Sequence, residues 1–159
     1  VNKVYDAYAN ATVTLSDKRV SGDTLSTSYS SATFANKNVG TGKTVSVSGI
    51  SVTGTDAGNY TFNTTASTTA NITAKALTIS SSASNKVYDS NNTATVVLSN
   101  NAIGGDDVVV TNTGATFSDK NVANSKTVTS NFTVTGVDVS NYAVTASPVL
   151  TTANITAKS

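Results

Sequence analysis

The chain has 159 residues and a formal net charge of +1, and roughly a third of its residues are Ser or Thr. It contains no Cys, His, Met or Trp, and all nine of its acidic residues are Asp. This composition excludes disulfides, thiolate and imidazole metal ligands, and the usual general base of an enzyme. The near-neutral charge gives no reason to expect nucleic acid as a partner, and no apolar run is long enough for membrane insertion.

The chain contains the same module twice, because three segments recur at an offset of 83 residues. The repeated segments are Asn2–Asp6 and Asn85–Asp89, Ala32–Val39 and Ala115–Val122, and Thr69–Lys75 and Thr152–Lys158. A period of this length exceeds that of solenoid repeats, so each copy is expected to be a small domain with its own core.

Short alternating runs of apolar and hydroxyl residues predict β-strands throughout both copies. Val13 and Leu15 alternate with Thr, and so do Val45 and Val47. The apolar phase switches across Gly49 in the first copy, whereas the second copy lacks one residue there. A slip of one residue turns every side chain to the other face of a strand, so we predict a bulge or break at Gly49 that the second copy lacks.

The segment Ala76–Ser80 reads as a strand and occurs only once, between the copies. We assign it to the second copy, which places the boundary near Lys75. The predicted domains are therefore residues 1–75, a first module that lacks an N-terminal strand, and residues 76–159, a second module. The start without Met favours an excised fragment of a longer chain.

Each copy also places an Asp four residues before a Tyr that opens a strand. The pairs are Asp56 with Tyr60 and Asp138 with Tyr142. This spacing resembles the tyrosine corner of immunoglobulin-like domains, although the Cys and Trp of the antibody core are absent. The predicted fold is all-β, with two tandem immunoglobulin-like antiparallel β-sandwiches. β-grasp-like modules with one helix are the alternative.

Few residues are suited to a metal site. Asp106 and Asp107 follow two glycines and are weak candidates for calcium, which prefers several oxygen ligands. The first copy has one Asp at this place, so a solvated turn is the simpler interpretation. We therefore expect no catalytic residues and no cofactor, with calcium as the one weak possibility.

The repeated landmarks together resemble a known family. KVYD near the start, ATF followed by KNV, the D-x-x-NY segment and the final ANITAK are similar to the YDG-type tandem repeat of large bacterial surface adhesins, the filamentous haemagglutinin-like stalk repeats. The signature residues are Tyr5, Asp6, Asp56, Tyr60, Tyr88, Asp89, Asp138 and Tyr142. The Gly that names the motif is replaced by Ala7 and Ser90, which puts the expected left-handed turn in question.

Some adhesin domains link a Lys to an Asn covalently, assisted by a carboxylate. The resemblance raises this chemistry for Lys86 and Asn154, with Asp89 as the assisting group. Formation of the link would expel ammonia, so an intact mass equal to that of the plain sequence would exclude it. An exposed Lys and a strand-capping Asn are the simpler interpretation.

The resemblance implies an extracellular location at the bacterial cell surface and a structural role. We expect spacer or stalk repeats that project a distal adhesive domain, with neighbouring repeats of the same polypeptide as partners. The alternative is a module that binds host or matrix glycans or proteins weakly and gains strength from multivalency. Tyr5, Tyr8, Tyr29 and Tyr88 are the aromatic candidates for a glycan platform. An enzyme is not expected.

Overall fold

The computed structural model describes residues 1–144 and 147–159. They form an all-β protein, as predicted, and the described part of the chain contains no α-helix. The β-grasp alternative required one helix in each module and is therefore wrong for these residues. No helix among the described residues is long and apolar enough to span a membrane.

The chain divides into two compact units, Val1–Lys75 and Ala76–Ser159. The first unit has six strands and one short 3-10 helix at Ala57–Asn59. Its strands are β1 (Lys3–Val4), β2 (Ser26–Ser28), β3 (Ser31–Phe34), β4 (Gly40–Ser48), β5 (Ser51–Thr53) and β6 (Thr65–Thr73). Four of them form a sheet in the order β1-β6-β4-β3, and β2 pairs with β5.

The second unit repeats this plan and adds strands at its beginning. Its strands are β7 (Lys75–Leu77), β8 (Ile79–Ala83), β9 (Lys86–Val87), β10 (Val96–Asn100), β11 (Val109–Phe117), β12 (Ala123–Thr135), β13 (Tyr142–Val144) and β14 (Val149–Thr156). A second 3-10 helix lies at Val139–Asn141. The main sheet has the order β11-β12-β14-β9, while β8 pairs with β10 and β7 pairs with β13.

Alternation along the central strands builds each core. In β4, Val45 and Val47 are buried and their Ser and Thr neighbours are exposed. The second core contains Ala115, Phe117, Val128, Ala153 and Ile155, with Tyr88 and Val96 among the residues packed against it. β-branched residues on one face and hydroxyl residues on the other suit a sheet with one face in water.

The predicted break at Gly49 is confirmed. Strand β4 ends at Ser48 and β5 begins at Ser51, with Gly49 between them at a φ of +65°. In the second unit the corresponding strand β12 is continuous over 13 residues. The missing residue has a consequence on the neighbouring strand, because the β11–β12 register shifts between Asn112 and Gly114. Both units are irregular at this place: the first interrupts both strands of the pair, at 29–30 and at 49–50, whereas the second keeps both strands continuous with a register shift.

Gly49→Ala should destabilise the first unit. An Ala Cβ would lie 2.4 Å from the Ser30 Oγ, and the left-handed backbone costs an L-residue about 1–2 kcal/mol. The matched control is Gly58→Ala, whose Cβ meets nothing within 4 Å and whose φ is not in the left-handed region. Native-state hydrogen exchange measures the opening free energy of the first unit. Equal effects of the two substitutions would contradict this account.

Candidate functional site

The first candidate site is a turn organised by one lysine, which we call the lysine-centred turn (residues 3–10 and 86–93). Lys86 Nζ lies 2.7 Å from the Asp89 carboxylate and donates to the backbone oxygens of Asn91 and Thr93 at 3.0 and 3.1 Å. Lys3 Nζ makes the same ion pair with Asp6, also at 2.7 Å, and donates to the Tyr8 backbone oxygen. The ammonium thus occupies a ring of oxygen acceptors within its own turn.

The turn passes through the position that names the family motif. Ala7 has a φ of 67° and Ser90 a φ of 71°, so the left-handed conformation is retained although Gly is absent. The doubt raised by these replacements is therefore resolved in favour of the turn. Asp6 Oδ1 accepts the Tyr8 N–H and Asp89 Oδ1 accepts the Asn91 N–H, which closes the turn around the strained residue.

Ala7→Gly and Ser90→Gly should each stabilise the protein. The left-handed conformation costs an L-residue about 1–2 kcal/mol, and the extra chain entropy of Gly costs about 0.5–1 kcal/mol, so a net gain of up to about 1 kcal/mol is expected. The control is Ala35→Gly, because Ala35 is exposed and is not among the positive-φ residues. Urea denaturation compares the three variants with the wild type. A loss of stability in Ala7→Gly as large as in the control would contradict the strain.

Stability should fall on acidification because carboxylates of both units of the chain are held ionised. The hydrogen bond from Lys86, with the Asn91 N–H, lowers the pKa of Asp89, and the hydrogen bond from Lys126 lowers the pKa of Asp119. In the first unit the pKa of Asp6 is lowered because the contacts with Lys3 and Tyr8 outweigh the effect of burial.

A carboxyl group whose pKa is lower in the folded state stabilises that state above the unfolded pKa, near about 3.9. The unfolding free energy should therefore be constant at neutral pH and decrease as the pH falls below about 4 and through the lowered pKa values of the folded state. Asp89→Asn should flatten this decrease, whereas Asp107→Asn serves as a comparison at an Asp outside these ion pairs. Urea titrations at several pH values test this, and an identical slope in Asp89→Asn and wild type would contradict it.

A chain of asparagines joins the short strand β1 or β9 to the last and the central strand of its unit. Asn2 Oδ1 accepts the Asn71 N–H at 2.8 Å, and Asn71 Oδ1 accepts the Gly42 N–H at 2.8 Å. In the second unit Asn85 and Asn154 make the same two contacts, the latter to the Ser125 N–H. Gly42 and Ser125 both have positive φ and lie where the central strand shifts register. The asparagine side chains satisfy backbone groups that the irregularity leaves out of the ladder.

The structure does not assemble the cross-link hypothesised for Lys86 and Asn154. Lys86 is brought to Asp89, as that chemistry would require. However, its ammonium is directed into the lysine-centred turn, and the Asn154 oxygen accepts the Ser125 N–H. Residue pairing places Lys86 opposite Ile155 and not opposite Asn154. The Lys86 ammonium and the Asn154 side-chain oxygen therefore each bind a different partner, and neither contacts the other.

The second candidate site is the tyrosine tie, which joins a Tyr at the end of the 3-10 helix to a distant loop. The Tyr142 hydroxyl donates to Asp106 Oδ2 at 2.6 Å and accepts the Ile103 N–H at 2.9 Å. Tyr60 does the same with Asp23 and Val20, and the hydrogen bond to Asp23 raises the pKa of Tyr60. The tied loop lies 36 to 40 residues earlier in the chain. The hydroxyl thus ties a loop, as in a tyrosine corner, but the tied backbone lies much farther upstream than in that motif.

The paired aspartates of the signature complete this tie. Asp56 Oδ2 accepts the Thr24 N–H at 2.9 Å, and Asp138 Oδ2 accepts the Asp107 N–H at 3.0 Å. The weak calcium candidates serve the same purpose. Asp106 accepts the Tyr142 hydroxyl, and Asp107 Oδ2 accepts the Val137 N–H at 3.0 Å. Among the described residues, no group of three or more acidic side chains is placed to hold a metal ion.

Tyr142→Phe should destabilise the second unit by about 1–3 kcal/mol. The substitution removes the hydroxyl that binds the Ile103 N–H and an Asp106 oxygen, at a residue that is only 6% exposed. The control is Tyr8→Phe, since the Tyr8 side chain is 70% exposed. Hydrogen exchange of the residue 101–107 loop provides a local readout. Unchanged exchange there in Tyr142→Phe would contradict the tie.

Reasoning from the sequence identified the tyrosines and aspartates but missed two other participants. The sequence indicates Lys86 only as an exposed or cross-linking group, and it indicates no role for Lys3, Asn2 or Asn85. Their signal was the repetition itself, since the NKVYD segment begins both copies with the same Asn and Lys. Tyr5 and Tyr88 were assigned to a possible glycan platform, but Tyr5 is 2% exposed and Tyr88 packs against the second core.

These features define a duplicated all-β module in which repeated polar side chains bind the backbone of their own unit. The model of the YDG domain matches residues 1–70 and again residues 73–149. The chain therefore belongs to the YDG domain family. No curated protein and no solved structure matches it.

Proposed function

We propose that the chain consists of structural spacer repeats from a secreted bacterial cell-surface adhesin. In this role the two YDG units form part of a stalk that projects a distal adhesive domain, and their partners are neighbouring repeats of the same polypeptide. Strand β6 ends at Thr73 and β7 begins at Lys75, so one residue separates the last strand of the first unit from the next strand. A junction this short contains no Gly-rich or Pro-rich linker segment.

The observation that carries the proposal is that the repeated polar side chains form hydrogen bonds within their own unit. The lysine-centred turn, the asparagine chain and the tyrosine tie occur in both units, and the hydrogen bonds described for them are to the backbone or to each other within one unit. Residues that recur in a catalytic or ligand-binding module would be expected to converge on a cleft. Nearly all the signature residues form hydrogen bonds or pack within their own unit, which supports a structural role.

We further infer that each unit is a form of immunoglobulin-like sandwich. In the second unit β8 packs against β14 of the main sheet while pairing with β10, which supports a second layer over the core. The tie from Tyr142 to the residue 103–106 loop fastens the end of this arrangement. The composition also argues against an enzyme, because His and Cys are absent and the paired aspartates bind the backbone.

Single-molecule stretching of the full chain tests the spacer role. Units of 75 and 84 residues should unfold in two separate events that release about 27 and about 30 nm of chain. Tyr142→Phe should lower the force of one event only, since the substitution lies in the second unit. One cooperative event for the whole chain, or two events both altered by the substitution, would overturn the proposal.

A weak multivalent glycan-binding module remains the second candidate, and one observation favours it. Tyr8 is 70% exposed and lies two residues before Asn10, whose oxygens accept from Lys3. Sugar sites commonly place an aromatic face beside amide groups. Screening an immobilised multimer of the chain against a glycan array tests this candidate. Saturable binding that Tyr8→Ala abolishes would favour it over the spacer, and the absence of binding would leave the spacer.

A further inference from the structure

The hairpin between β3 and β4 carries an amide where the equivalent hairpin of the second unit carries a carboxylate. Asn36 and Asp119 are counterparts at the repeat offset of 83 residues, and so are Lys43 and Lys126. Lys126 forms an ion pair with Asp119. In the first unit Lys43 Nζ donates instead to Asn36 Oδ1 at 2.6 Å. The equivalent lysines therefore face a neutral group in one unit and a charged group in the other.

The Asn36 side-chain oxygen accepts two hydrogen bonds. In addition to the Lys43 ammonium group, the Asn38 N–H donates to this oxygen at 3.0 Å. Attack on the carbon of a side-chain amide places negative charge on its oxygen, and donors already aimed at that oxygen stabilise the charge. Asn36 is exposed and lies outside the strands, so water reaches it. These contacts favour hydrolysis of the Asn36 side chain.

The second unit shows how these surroundings hold the product of such a hydrolysis. Asp119 Oδ1 accepts the Asn121 N–H at 2.7 Å and binds the Lys126 ammonium group. The hydrogen bond from Lys126 is the main cause of the lowered pKa of Asp119, so the carboxylate form is favoured there. A carboxylate at position 36 would meet the same two donors, a backbone N–H and a lysine.

We propose that Asn36 is a site of spontaneous deamidation promoted by Lys43, which gives the first unit the ion pair already present in the second. The only co-reactant is water. Water supplies the second oxygen of the new carboxylate, the bond from the side-chain carbon to the amide nitrogen breaks, and the nitrogen leaves as ammonium with both protons of the water. The attacking group is water itself or the Lys37 backbone nitrogen, which forms an imide that water then opens.

Lys43 acts in this reaction as a donor and not as a nucleophile. Its ammonium group has no lone pair with which to attack the Asn36 side-chain carbon, so no covalent bond forms between the two side chains. The lysine is unchanged by the reaction, and the new carboxylate remains paired with it. The reaction depends on the contacts of one hairpin, and it would occur whether or not the chain is a spacer.

Incubation of the folded full chain in neutral buffer, followed by peptide mapping, tests the proposal. The peptide that contains Asn36 should gain the mass difference between OH and NH₂. Lys43→Met removes the charged donor and should slow this conversion by about tenfold, as expected for the loss of one hydrogen bond to the reacting oxygen. Lys43→Arg keeps a charged donor and should retain most of the rate. The matched control is Lys126→Met, which alters the equivalent lysine of the second unit and should leave conversion at Asn36 unchanged.

The same measurement in concentrated urea separates the effect of the fold from that of the local sequence. Unfolded wild type and unfolded Lys43→Met should convert Asn36 at equal rates, because only the folded hairpin brings both donors to the oxygen. Folded wild type that shows no conversion at Asn36 would overturn the proposal, and so would equal rates in folded wild type and folded Lys43→Met. A mass lower by that of ammonia would also overturn it, since Lys43 would then have attacked the amide.

Discussion

The constraint on which each unit depends is the parallel pairing of its last strand with a two-residue strand, β1 in the first unit and β9 in the second. In the first unit Lys3 lies opposite Ile72, and in the second Lys86 lies opposite Ile155. Each pairing spans only two residues on the short strand, which is too little to hold a strand by its ladder alone. The Asn2 and Asn85 side chains extend the pairing by bonding the Asn71 and Asn154 N–H groups.

The lysines complete this closure from the other side of the strand. The Lys86 side chain extends from β9 into the following turn, where Asp89 and two backbone oxygens surround its ammonium group. Its stem also lies near the core, since the Nζ is 5.8 Å from the centre of the Phe117 ring, as Lys3 is from that of Phe34. One residue thus joins the strand, the turn and the interior, which explains why the left-handed Ala7 and Ser90 conformations persist at an energetic cost.

Strand content, the two copies and the break at Gly49 could be predicted because they depend on local alternation and on repetition. The partners of the signature residues could not. Tyr60 and Tyr142 were correctly singled out, but their hydroxyls reach loops 36 to 40 residues away, and no local pattern encodes that distance. The oxygen ring around Lys86 was missed because an ion pair at i,i+3 is common on surfaces. Its side chain is 17% exposed, which only the folded turn reveals.

The two copies reach one architecture through different local solutions. Lys126 is 8% exposed and pairs with Asp119, whereas its counterpart Lys43 donates to the neutral Asn36. The residue absent beside Phe132 is accommodated by a shift on the neighbouring strand at Asn112–Gly114. The architecture is therefore retained, while the charge of the supporting side chain and the form of the irregularity vary.

The parallel direction of β1 and β6 has a mechanical consequence. The chain enters the first unit at the amino end of β1 and leaves it at the carboxyl end of the adjacent β6. Tension applied at these two points draws the strands past each other in shear, so their hydrogen bonds and the Asn2 contact bear the load together. An antiparallel pair pulled from one end would instead open one bond at a time, like a zipper. The closure of the first unit is thus oriented to resist a pull applied at the amino end of β1 and the carboxyl end of β6.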